Sequence, residues 1–171
     1  MAGKKQTLAL CGFMACGKTT LGRALARELG YAFVDTDELL FEKTRMTLGE
    51  MFAAGGETYF RDREHEVVCQ AAKLEKAVIS TGGGVMTFER NALMLAEHAE
   101  IIHIRRSFDL CYEHIVRREN RPIAGHKSCE EMLMLYQSRQ AAYDRYAGLI
   151  LQNDGTPEEA LCAILRWLRT R

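Results

Sequence analysis

The stretch GFMACGKTT, Gly12 to Thr20, constrains this chain more than any other. It follows the apolar run Leu8, Ala9, Leu10, Cys11 and precedes Leu21, Ala24, Leu25 and Leu29, which recur at helical spacing until Gly30 supplies a stop. A G-x-x-x-x-G-K-[ST] spacing at a strand-to-helix junction is that of a phosphate cradle. Backbone N–H groups curl round phosphate oxygens, a lysine reaches the terminal phosphates, and a hydroxyl reaches Mg2+. The helix N-terminus would add its partial positive charge to that of Lys18. The competing reading is a plain glycine-rich turn with a solvated lysine; the strand before and the helix after favour the cradle.

The rest of the chain repeats that strand-then-helix alternation. Short runs rich in β-formers occur at Thr7 to Cys11, Ala32 to Asp35, Ala77 to Thr81, Ile101 to Ile104 and Leu149 to Leu151, separated by stretches of helical period. This predicts an α/β fold: a mainly parallel sheet with helices on both faces and ligands at the carboxyl ends of the strands. Gly12, the pair Asp35 and Asp37, and the run Gly82, Gly83, Gly84 all follow strands and so converge on one rim. The last helix is marked by Thr156 as cap, Pro157 in the first turn, Glu159 completing a capping box, and Leu161, Ile164, Leu165 and Leu168 as buried stripe. At 171 residues, with no linker or repeat, one domain is expected.

Composition narrows the partners. With 23 basic and 23 acidic residues the formal charge is zero, so no global field draws in nucleic acid or an acidic membrane, and a small-molecule partner is expected. A monomer is expected. Six cysteines without any C-x-x-C pair fit a reducing cytosol. The start MAGKKQTLALCGFMAC faintly imitates a secretion leader, but its apolar stretch is short and runs straight into the phosphate motif. The five histidines show no metal-ligand spacing and read as surface or core residues, and methionines such as Met132 and Met134 read as gap fillers.

Three further segments carry chemistry. In FVDTDELL, Asp35 and Asp37 lie at i and i+2, which on an extended chain end turns both carboxylates to the same side. One can serve Mg2+ beside a triphosphate and the other a substrate hydroxyl, whereas the ordinary alternative is a helix N-cap. In GGETYFRDREHEVV, Arg61 and Glu64 stand one helical turn apart, with Phe52 and Phe60 near; such charges usually form a solvated face. In STGGGVMT, three consecutive glycines after an apolar strand are expected where a ligand approaches the main chain closely, a flexible loop being the alternative.

Taken together, GFM-x-x-GKT, D-T-D, G-E-x-x-F-R-x-x-E, GGG, R-P and a later R-x-x-x-Y resemble the shikimate kinase family, in that family's order and from Gly12 to the final helix. The resemblance implies a three-layer P-loop kinase fold with a five-stranded parallel sheet, and ATP-dependent, Mg2+-requiring phosphorylation of the shikimate 3-hydroxyl. It implies Lys18 as phosphate clamp, Gly12, Ala15, Cys16, Gly17 and Thr20 in the nucleotide loop, Thr19 as direct Mg2+ ligand and Asp35 holding the ion through water. Asp37 then orients the hydroxyl, and Arg61 and Arg139 grip the carboxylate. The backbone at Gly82, Gly83 and Gly84 touches the ring hydroxyls, and Glu64, Phe52 and Phe60 shape the pocket. A lid near 118–128 carries Arg121 onto the phosphates, Arg117 and Pro157 flank the adenine, and a helical segment near 37–75 binds the acceptor.

The chain departs from the family's pattern at Ala15 and Cys16, where glycine and serine are usual, and at Ile123 and Ala124, where two leucines follow the R-P pair. Ala15 reaches positive φ less cheaply than glycine. Cys16, near Lys18 and a helix N-terminus, is expected to be an alkylation-sensitive thiol unless shielded. Other small-metabolite kinases, such as gluconate or nucleotide kinases, share the loop but do not require Asp37, Arg61, Arg139 and the triple glycine together. A guanine-nucleotide switch lacks support because no N-K-x-D occurs.

Overall fold

The computed structural model describes residues 5–117 and 127–171. Strand β1 (Thr7–Cys11) is buried at all five positions, as a central parallel strand covered on both faces must be. It pairs with β3 (Ala77–Ser80) on one side and β4 (Ala99–Arg105) on the other, while β2 (Ala32–Asp35) and β5 (Leu149–Gln152) complete the sheet. Among the described residues the order is β2-β3-β1-β4-β5, with every pairing parallel. Each strand matches one expected from the sequence; β4 is longer, running from Ala99 through Arg105 rather than Ile101 to Ile104. The register sets Asp35 opposite Ser80 and Cys11 opposite His103, so the loops after β1, β2 and β3 open at one end of the sheet.

Among the described residues seven α-helices flank the sheet: α1 (Lys18–Leu29), α2 (Thr36–Thr44), α3 (Leu48–Ala72), α4 (Glu89–His98), α5 (Phe108–Arg117), α6 (Cys129–Asp144) and α7 (Pro157–Arg169). The expected stop of α1 is present, with Gly30 at φ 66° and its N–H on the carbonyls of Ala26 and Arg27. The capping box of α7 is complete, with Thr156 accepting from Glu159 N–H and the Glu159 carboxylate accepting from Thr156 N–H. Leu8, Leu10, Ile79, Ile102 and Ile104 of the sheet join Leu21 and Leu25 of α1, Leu95 of α4, Tyr143 of α6 and Ile164 of α7 in one core. Leu40, Met51, Phe60 and Val67 form a second, smaller cluster that binds α2 to α3. The helical segment expected near 37–75 is therefore two helices with a local core. Gly56 (φ 70°, ψ −165°) interrupts the helical path of α3 before the turn that carries Arg61 and Glu64.

Candidate active site

The loop between β1 and α1 is held by backbone geometry. Gly12, Ala15 and Gly17 all take positive φ (144°, 59° and 103°). A Cβ at Gly12 would run into the Ile104 carbonyl, and one at Gly17 would lie 2.7 Å from Asn153 Nδ2. Ala15 is thus an L-residue in a conformation that costs about 1 kcal/mol relative to glycine. Lys18 is 9% exposed and curls back so that Nζ donates to the carbonyls of Gly12 and Phe13, each at 2.8 Å. Asn153, buried just after β5, donates from Nδ2 to the Cys16 carbonyl at 2.8 Å and pins the loop from behind. Cys16 itself is fully buried, so the expected alkylation sensitivity meets a shielded thiol.

Asp35 is a helix cap and also faces Thr19. Its Oδ1 accepts from Asp37 N–H at 3.0 Å and caps α2, while its Oδ2 accepts from Thr19 Oγ1 at 3.2 Å. The chain is not extended through Asp37, as the i, i+2 argument assumed; α2 begins at Thr36, and Asp37 sits in its first turn. A capping carboxylate favours helix directly after β2, which ends the strand alternation. Thr36 in turn accepts from Gly82 N–H at 2.9 Å, tying this turn to the triple-glycine loop.

The triple glycine makes room for side chains of the protein itself. A Cβ on Gly82 would lie 2.7 Å from Asp37 Oδ1, one on Gly83 3.5 Å from Arg139 Nη1, and one on Gly84 3.0 Å from Arg61 Nη1. None of the three takes positive φ. Their function is space, and the three groups singled out for a hydroxy acid meet at that loop. Arg61 and Glu64 are not a solvated face: Nη1 donates to Oε2 at 2.9 Å, and the side chains are only 17% and 5% exposed. Burial pushes the Glu64 carboxyl above the usual range, and Arg61 opposes that shift. The Arg61 guanidinium lies over the rings of Phe60 and Phe88, at 4.7 and 4.4 Å from their centroids, while Phe52 stacks on Phe60 at 5.4 Å.

Both sets of residues face one cleft of about 1160 Å3. Ala15, Gly17, Lys18, Thr19, Thr20, Asp35, Asp37, Phe52, Phe60, Arg61, Glu64, Gly82, Gly83, Arg139 and Pro157 line it. Gly12 and Cys16 belong to the phosphate loop but are buried and do not line the cleft, and Gly84 backs Arg61. Arg117 does not reach the cleft; it is exposed and pairs with Glu113 one turn earlier on α5. Arg121, Ile123, Ala124 and most of the expected lid lie outside the described residues. The sequence reading missed Arg106, His114, Lys127 and Asn153, which also line the cleft. A His and an Asn without motif spacing gave little signal, although Asn153 directly follows a strand on the ligand-bearing rim.

A sequence model described as shikimate kinase matches residues 14–169. The chain belongs to the shikimate kinase family. It is 34% identical over 163 residues to the shikimate kinase of Thermodesulfovibrio yellowstonii, covering 94% of each chain. It also resembles the solved shikimate kinase of Acinetobacter baumannii in complex with shikimate, at a TM-score of 0.89 and 30% identity over 96% of this chain and 93% of that one. A gluconokinase from Sinorhizobium meliloti is more distant (TM-score 0.62, 16% identity, 96% and 91% covered) and shares the fold alone. The three-layer P-loop kinase fold expected from the sequence is the fold observed. Among the described residues no helix is long and apolar enough to cross a membrane.

Proposed function

We infer that this chain transfers the γ-phosphoryl group of ATP to the 3-hydroxyl of shikimate. The observation that carries the reading is the convergence of Asp37, Arg139 and Arg61 on Gly82, Gly83 and Gly84, across one cleft from Lys18 and Thr19. The two guanidinium groups offer planar forks to the acceptor carboxylate and fix its orientation as well as its charge. Asp37 accepts a hydrogen bond from the reacting hydroxyl and takes up its proton as the new O–P bond forms and the bond to ADP breaks. Because the transition state of phosphoryl transfer is loose, alignment matters more than base strength. The loop amides and Lys18 stabilise the charge that builds on the transferred group.

The donors beside the loop suit a small hard cation: Thr19 Oγ1 and Asp35 Oδ2 are oxygen ligands 3.2 Å apart on an exposed edge. When bound there, Mg2+ would neutralise phosphate charge, with Thr19 as direct ligand and Asp35 acting through water. The six unpaired cysteines support a reducing cytosolic setting, and the neutral formal charge fits small acids as partners rather than nucleic acid.

A coupled ADP-release assay tests the reading. Activity is expected with shikimate and Mg·ATP and not with gluconate or nucleoside monophosphates. It should fall about 1000-fold in Asp37→Asn and about 100-fold in Arg139→Ala at fixed sub-saturating shikimate. Unchanged activity in both variants contradicts the assignment.

A further inference from the structure

Tyr143 is a fully buried core side chain, yet its one polar atom is directed at the acceptor side of the cleft. It follows Arg139 by four residues on α6, so the two share a helix face. Its hydroxyl donates to the Gly83 carbonyl at 2.6 Å, and the Arg139 guanidinium lies beside that hydroxyl, its Nη1 3.5 Å from where a Cβ on Gly83 would stand. The remainder of the residue is clamped to the sheet. Its ring packs 5.1 Å from that of His103 on β4, and its carbonyl accepts from Cys11 Sγ on β1 at 3.8 Å. The adjoining Asp144 is held by His103 Nδ1 at 2.7 Å and by Arg105 Nη2 at 2.6 Å. The hydroxyl therefore cannot move independently of the two central strands.

We propose that Tyr143 is a positioning residue for the acceptor: its hydroxyl joins the Arg139 guanidinium to the Gly83 carbonyl and so fixes the spacing between the carboxylate grip and the backbone that meets the ring hydroxyls. This deepens the functional reading above and rests on it. The hydroxyl touches no reacting atom. A rigid hydroxy acid needs its carboxylate and its ring hydroxyls matched at once, so a change in that spacing weakens acceptor binding more than nucleotide binding at Lys18 and Thr19. Burial pushes the phenol well above its ordinary range, so it remains a neutral donor throughout the working pH range.

The test is Tyr143→Phe, which keeps the ring and deletes the donor. Steady-state kinetics in both substrates, calorimetric titration of shikimate without nucleotide, and thermal melting are measured together. The shikimate KM and Kd are expected to rise about 5- to 10-fold, with kcat within about threefold and the ATP KM within about twofold. Replacement by 4-aminophenylalanine, which restores a donor at the same place, should return the shikimate KM to within about twofold of wild type. In an Arg139→Ala background Tyr143→Phe should add much less than it does alone. A lowered melting temperature with both KM values unchanged, an equal rise in both, no recovery with the amino analogue, or full additivity with Arg139→Ala each overturns the proposal. Wild-type protein that does not phosphorylate shikimate overturns the functional reading and this inference with it, whereas active wild type with an unaltered Tyr143→Phe overturns the inference alone.

Discussion

Glycine is used at both rims of the cleft, but only one rim needs its dihedral freedom. In the phosphate loop it permits a backbone path: Gly12 and Gly17 take positive φ, and Ala15 between them does so as well, without glycine's freedom. In the loop after β3 the dihedrals are ordinary, and what counts is the missing Cβ, whose place Asp37, Arg139 and Arg61 approach. On the proposed function, one rim binds through main-chain amides in a fixed curl and the other through side chains that need a thin wall to lean on. Substitutions at the first should act on ATP and on loop strain, and substitutions at the second on shikimate and on alignment.

Gly82→Ala should break the acceptor rim hardest. The added Cβ meets the end of the Asp37 side chain at 2.7 Å, not backbone, so the chain should fold and Asp37 swing aside. A loss of roughly 100-fold in kcat with little change in melting temperature is expected from a displacement near 1 Å. A nearly wild-type kcat would show that Asp37 does not need that position. Asn153→Ala is the matching change on the nucleotide rim. Loss of the 2.8 Å bond to the Cys16 carbonyl should raise the ATP KM about 10-fold and leave the shikimate KM within about twofold. Equal rises in both would merge the two rims.

Ala15→Gly should relieve the left-handed alanine and stabilise the protein by up to about 1 kcal/mol in urea unfolding. A less stable variant would show that the strain is illusory or offset by chain entropy. The smallest effect concerns Glu64. Its carboxyl titrates above the ordinary range because it is buried, so between the ordinary and the raised value the folded state holds more protons than the unfolded one. Stability from this group is full below the unfolded value and falls as pH rises through the raised one. Glu64→Gln should abolish that slope, so melts from about pH 4 upward should show the wild-type-minus-variant difference declining and then levelling. A difference that grows with pH would reverse the sign of the Glu64 shift.

The sequence made the sheet and the phosphate loop readable because both are local. An apolar run bounded by turn residues, a capping box such as Thr156 with Glu159, or a stop such as Gly30 carries its signal within a few residues. The acceptor residues became readable only as a set, through family likeness, since Arg61 with Glu64 alone looks like any exposed helical pair. Contacts between distant segments were the least legible. Asn153 meets a carbonyl 137 positions away, and Tyr143 one 60 positions away. Neither has a spacing that betrays it. Which face of α5 looks into the cleft depends on how the helix docks, so His114 rather than Arg117 lines it. Asp37 was placed by a capping carboxylate two residues earlier, a local competition that strand alternation does not reveal.

A crystal structure with shikimate, Mg2+ and a nonhydrolysable ATP analogue tests the central claim most directly. The account predicts the shikimate carboxylate on Arg61 and Arg139, its 3-hydroxyl on Asp37 and in line with the terminal phosphate, and the triphosphate on the amides from Ala15 to Thr20. Ligand density elsewhere, or Asp37, Arg61 and Arg139 turned away from a shared ligand, would contradict it.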